Sequence, residues 1–231
     1  MNNNFTNTET VVENENTSKS KSKLFFEILG TRIWELFALN LLFMIFSIPL
    51  ITIGPATCGI VRVTRNYATD KPTSLLTDFW KGFKENFGKS LLISIPTTII
   101  LLGCYAGFNL YFALAVTYSK AWYVLLGITV IIGIVVITMN FYAYLMLLFT
   151  ELKILNIYKN ALIFTITQLK TNFLILILCG GLIVGIGLLW FYVKYMTLLF
   201  LFVPFAFNWF VISYNCYPII DKYIIKPYYN S

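Results

Sequence analysis

IWELFALNLLFMIFSIPLITIGPATCGIVRV, from Ile33 to Val63, carries its only charges, Glu35 and Arg62, near its two ends. About 20 apolar residues cross a ~30 Å hydrocarbon core, so the stretch is long for one span and short for two. Its middle is built to break a helix. Pro49 removes a helical donor and disfavours the α region at Ile48. Gly54-Pro55 reads as a turn followed by a residue suited to the first helical position. These signals predict one helix from Ile33 to about Ile48 and a second from Pro55 to about Tyr67, with arms of ~24 and ~20 Å. The arms make either a re-entrant hairpin or two short spans inside a bundle; a straight span from Ile33 to Ile53 is the alternative. Irregular backbone at Leu50–Ile53 is tolerable in lipid only under a cover of protein or water.

Charge favours the return. If the segment folds back, Lys120 and Lys194 stand alone on one side and the other 15 of the 17 basic residues lie opposite; a single crossing splits them 11 to 6. Cytoplasmic loops collect Lys and Arg, so the hairpin places both termini in the cytosol of a multi-pass protein of the bacterial plasma membrane.

The rest of the chain asks for the same solvent. Of 231 residues 58% are hydrophobic and 12% charged, and mean hydropathy is +0.77, far from the balance of a globular domain. Beyond the first region, apolar runs extend over Leu91–Val116, Trp122–Phe149, Phe173–Phe191 and Met196–Tyr217. They are too long for barrel strands and must pair their own backbone groups, so they are helices. The expected fold is an all-α polytopic transmembrane bundle of five hydrophobic regions, six helices if the first is a hairpin. Residues 1–23 are polar and Asn-rich and read as a disordered tail without a signal-peptide cleavage site. Residues 24–220 form one membrane domain, and 221–231 a short C-terminal tail.

Between the first and second regions, LLTDFWKGFKENFGKS (Leu75–Ser90) sets Leu75, Leu76, Phe79, Trp80, Phe83 and Phe87 at helical spacing, opposite Lys81, Lys84, Glu85 and Lys89. A basic helix with a Trp/Phe face lies in the headgroup plane, or else packs on the bundle as a loop helix. A weak repeat joins Lys84-Glu85-Asn86-Phe87, before the second region, to Lys170-Thr171-Asn172-Phe173, before the fourth; helix capping by Asn accounts for it equally well.

Asn40-Leu41-Leu42, Ser47-Ile48-Pro49-Leu50, Thr52-Ile53-Gly54-Pro55-Ala56, Arg62, Arg65, Phe79, Phe83-Lys84, Asn86-Phe87 and Ser90-Leu91 follow one another in an order and spacing that resembles the YesL-like family of small bacterial membrane proteins, a domain of unknown function. The resemblance covers about residues 33–92. It implies no activity. Members are often encoded beside sugar-uptake ABC transporters and polysaccharide-degrading enzymes, which implies a class of partner rather than a mechanism.

Little in the chain suggests catalysis. Histidine is absent, which removes the commonest general base and catalytic metal ligand. Cys58, Cys104, Cys179 and Cys216 are isolated in or beside apolar runs, without metal or disulfide spacing. No carboxylate pair, nucleophile elbow or phosphate loop appears. No metal, cofactor or nucleic acid is expected, since the basic residues lie between apolar runs and form no patch of their own. Asn40, Asn109, Asn140, Asn208 and Asn215 lie within spans and either line a polar path or make interhelical hydrogen bonds. Gly103-x-x-x-Gly107 and Gly181-x-x-x-Gly185 read as close-packing positions, and Pro96 and Pro204 as kinks.

The functional expectation is a non-catalytic accessory subunit bound to the bilayer and to another membrane protein, an ABC transporter permease by the resemblance. A small transporter with an Asn-lined path is the alternative, and a membrane enzyme the third. The hairpin also makes a demand on contacts. It brings Glu35 to the depth of Arg62 and Arg65, so that Glu35 pairs with one of them or with its local competitor Arg32.

Overall fold

A computed structural model describes residues 21–192 and 204–229. Among these residues the protein is all-helical, without strands. The expected tail over residues 1–20 and the part of the fifth region from Met196 to Val203 lie outside them, as does Lys194.

The first helix, α1, runs Lys21–Ser47, starting well before Ile33. The tail boundary at residue 23 is therefore corrected, because the helix already includes Lys21–Lys23. Leu24, Phe25, Ile28 and Leu29 recur at helical spacing and pack on the core, Phe25 against the rings of Phe210 and Tyr214 at 5.3 and 5.2 Å. A short 3₁₀ turn, Leu50–Thr52, follows Pro49. Then α2 takes Ile53–Ala68. The chain folds back here, for the guanidinium of Arg32 lies 5.2 Å above the ring of Tyr67. The straight span is excluded.

Helix α3 occupies Leu75–Glu85. Asn86 separates it from α4, Phe87–Thr117, which continues through Pro96. α5 covers Trp122–Phe149, the bounds expected from the sequence. α6 is Ile154–Thr167, α7 Leu169–Tyr192 and α8 Pro204–Ile220. The supposed tail from residue 221 is also helical where described, as a π-turn Asp221–Ile225 and a last helical turn, α9, Lys226–Tyr229. Lys226 pairs with Asp221 at 3.4 Å. Four described helices, α1, α4, α5 and α7, are long and apolar enough to cross a membrane, and their many exposed Ile, Leu, Val and Phe side chains suit contact with lipid.

The centre of the bundle is α2, packed against α1, α3, α4, α5 and α8. It is buried from Gly54 to Val61 and again at Val63, Thr64 and Tyr67. Backbones approach closely at its glycines. A Cβ on Gly82 of α3 would stand 2.6 Å from the carbonyl oxygen of Cys58, one on Gly59 would meet the ring of Phe79 at 2.8 Å, and one on Gly54 would meet Ser94 of α4 at 2.5 Å. Gly54 and Pro55 are thus the first turn of α2 rather than a loop, and Gly54 is needed there for its missing side chain. The sequence patterns assigned to close packing are different glycines. A Cβ on Gly107 would meet Thr129 at 3.4 Å, an ordinary contact, while Gly103, Gly181 and Gly185 have open space around them among the described residues.

Candidate functional site at the open end of the central hairpin

Where α2 ends, polar and aromatic groups from three helices meet. Arg65 is held between two rings, its guanidinium carbon 4.2 Å from the centre of Phe149 on α5 and 4.3 Å from that of Tyr217 on α8. It donates to the Tyr217 hydroxyl and, at 3.1 Å, to the side-chain oxygen of its neighbour Asn66. The guanidinium is weakly hydrated, so planar stacking offsets its removal from water. One turn away, the hydroxyls of Thr64 and Ser213 meet at 3.2 Å. These contacts fasten the last described long helix to the second.

The acidic partners fall elsewhere. Glu35 pairs with Arg32 at 3.0 Å on its own helix, and Arg62 pairs with Glu85 of α3 at 2.8 Å. The expected approach of Glu35 to Arg62 or Arg65 does not occur. Arg32 sits three residues away on a helix already formed, so that pair orders fewer torsions, while α3 brings Glu85 to Arg62. Both pairs are partly exposed and contribute modestly, within about 1 kcal/mol.

Beside the Arg65 stack, Leu148, Phe149, Thr150, Glu151, Leu152, Ile224 and Ile225 line a cavity of about 350 Å³. Its walls are about as polar as apolar, with Thr150 and the carboxylate of Glu151, which is exposed, among the lining residues.

Pro49, Gly54 and Pro55 lie at the other end of the hairpin and shape its turn. On α3, Phe79 and Gly82 are buried, Phe83 is half-buried, and Trp80, Lys81 and Lys84 are exposed, as is Phe87 at the start of α4. Phe46 of α1 contacts Phe79, Trp80 and Phe83, with ring centres 5.3 to 5.7 Å apart.

The five asparagines do not line one path. Asn40 accepts from the backbone N–H groups of Phe205 and Ala206, at 3.0 and 3.1 Å, and so caps the start of α8 from α1. Asn140 donates to Val136 O, and its carbonyl oxygen accepts from Thr97 at 3.3 Å. Asn109 and Asn215 bond to carbonyls of their own helices, and the side-chain oxygen of Asn208 is buried without a hydrogen-bond partner among the described residues. Asn172, read from the sequence as a cap, is buried at the junction of three helices. It accepts from the Tyr142 hydroxyl at 2.7 Å and donates to Thr165 O at 3.0 Å. Its counterpart Asn86 lies between α3 and α4, so the two Lys-x-Asn-Phe stretches occupy different places in their helices.

Residues 36–109 match the model of a family described as a protein of unknown function, DUF624. YesL-like proteins belong to that family, so the match agrees with the resemblance carried by residues 33–92. It covers most of the hairpin, all of α3 and most of α4, and it ends before α5. No curated protein and no solved structure matches the chain.

Among the described residues no three His, Cys, Asp or Glu side chains come together as a metal site would require. The arginines are engaged by rings, amides and carboxylates of the protein itself. Chemically, the arrangement is a clamp that fixes α2 between its neighbours.

Proposed function

We propose that the protein is a non-catalytic membrane subunit that acts by docking against a transmembrane helix of another membrane protein. The observation that carries this reading is the outward face of α4. From Ile95 onward α4 has only Ala115 buried, yet Tyr105 and Asn109 are exposed on the face opposite Gly107, which packs on α5. An amide at this depth is better matched by a partner helix than by acyl chains. The partner proposed is a permease of a sugar-uptake ABC transporter, a class supported by the family resemblance alone. The protein is further proposed to lie in the bacterial plasma membrane with α3, the start of α1 and the end of α8 toward the cytosol; the 15-to-2 distribution of basic residues supports this orientation.

A photo-crosslinking residue placed at 105 or 109 tests the docking reading in native membranes. Capture of a permease subunit, lost when Asn109→Leu is added to the position-105 variant, supports it. Crosslinks to lipid alone, or to a second copy of this chain, count against it. The orientation is tested separately with a cysteine at position 120, which an impermeant maleimide should label from outside only.

A further inference from the structure

The turn of the central hairpin has the wrong surface for water. Ile48, Leu50 and Ile51 are 77%, 82% and 62% exposed, and Ile45 and Ile53, which flank the turn, are exposed as well, as is Trp80, whose ring packs on Phe46. Its backbone is closed on itself. Thr52 N–H donates to Pro49 O at 2.8 Å, and the Thr52 hydroxyl lies 2.6 Å from both Phe46 O and Pro49 O. These are carbonyls that a broken helix would otherwise leave to solvent. Apolar side chains outside and satisfied carbonyls inside are what irregular backbone needs in a low-dielectric medium.

The depth of the turn follows from α4. Gly54, just after the turn, abuts Ser90 and Ser94 near the start of α4. From Ser94 to Thr117 the helix continues for ~35 Å at 1.5 Å per residue, a full hydrocarbon thickness. The turn therefore stops about one bilayer short of the α4–α5 loop, on the side where α3 lies. Lys81, Lys84 and Lys89 are exposed on α3 and at the start of α4, where long stems let ammonium groups reach the headgroups while the neighbouring apolar groups sink below.

We infer that the α1–α2 turn is a lipid-insertion surface. Ile48, Leu50 and Ile51 sit among the acyl chains of the leaflet that carries α3, and the hairpin enters and leaves by that face without crossing. Trp80, whose ring packs on Phe46 just before the turn, continues the apolar surface onto α3, where Lys81 and Lys84 are exposed. This holds whichever protein α4 docks against.

Spin labels on Leu50→Cys and Ile51→Cys, read in nanodiscs of mixed anionic and zwitterionic phospholipid, test the inference. Labels at Lys120→Cys and Ile131→Cys serve as water and lipid references, and the unsubstituted protein gives the background of the native cysteines. The oxygen-over-nickel-chelate accessibility ratio at 50 and 51 should lie severalfold above that at 120 and below that at 131, as for acyl chains near the boundary of the leaflet. A ratio like that at 120 would overturn the inference by placing the turn in water. Exclusion of both reagents would overturn it too, since the turn would then be covered by protein. Ile48→Cys supplies a third position if one variant elutes as aggregate.

Discussion

The central helix α2 and the α4–α5 hairpin invert the usual association of hydrophobicity with burial. α2 contains Thr57, Thr64, Arg62, Arg65 and Asn66 and is the most thoroughly enclosed helix described. The upper half of α5 and nearly all of α4 are apolar almost without interruption, yet α5 has no buried residue before Thr138. In lipid there is no gain in hiding an isoleucine from acyl chains, whereas a threonine or a guanidinium must find partners. Enclosure therefore goes to the helix that needs hydrogen bonds and rings, and hydropathy marks the helices that face outward.

The contrast is sharpest at the glycines. Gly82→Leu should be the most damaging change, because even the first added carbon meets Cys58 O at 2.6 Å. α3 would be pushed from α2, and the thermal midpoint by size-exclusion chromatography should fall by an amount equivalent to about 3 kcal/mol. Gly103→Leu, with open space around it, should leave the midpoint of the isolated protein unchanged; an equal fall in both variants would break the comparison. Asn40→Leu comes next. It strips the acceptor from two backbone N–H groups of α8, at about 1–3 kcal/mol, and Asn40→Asp, which keeps an acceptor, should recover much of the loss in the same assay.

Arg65→Ala should remove about 1–2 kcal/mol by abolishing two ring contacts. In a double-mutant cycle with Tyr217→Leu, measured by the same midpoints, the losses should be clearly less than additive; full additivity would mean that the stack is incidental. The smallest effect belongs to the hairpin arm. Ile131→Ala should change stability in detergent by less than about 1 kcal/mol, because that side chain is exposed and leaves no cavity. A larger loss would mean that the arm has a neighbour in the purified protein.

The spans and the reversal were legible because they rest on local signals. Run length set α4, α5 and α7, and Pro49 with the charge distribution set the hairpin. What tertiary approach decides was not legible. Gly59 and Gly82 form no recognised spacing, since a crossing between short helices puts no periodic constraint on either one. The N-terminal half of α1 was hidden by Lys23, Glu27, Arg32 and Glu35, which interrupt an apolar stripe visible once Leu24, Phe25, Ile28 and Leu29 are set on a helix. At the polar end, the ingredients Glu35, Arg62 and Arg65 were recognised and their pairing was not. Glu85 and Tyr217, which take the two arginines, come from helices whose approach no local pattern announces. Asn172 has the local look of a cap, but its Tyr142 partner on α5 is 30 residues away.

The bond from Asn40 to the start of α8 also bears on how the protein is made. The groups it joins are 165 and 166 residues apart, and Arg65 and its Tyr217 partner are separated by 152. At a synthesis rate of roughly 5–20 residues per second, the first hairpin waits about ten to thirty seconds for the helix that completes it. During that interval the Asn40 amide, the Thr64 hydroxyl and the Arg65 guanidinium on the nascent chain lack their partners on α8 and must be sheltered by something else. A ribosome stalled before codon 204 should therefore hold the hairpin beside the insertion machinery, and release to the bilayer should follow the emergence of α8.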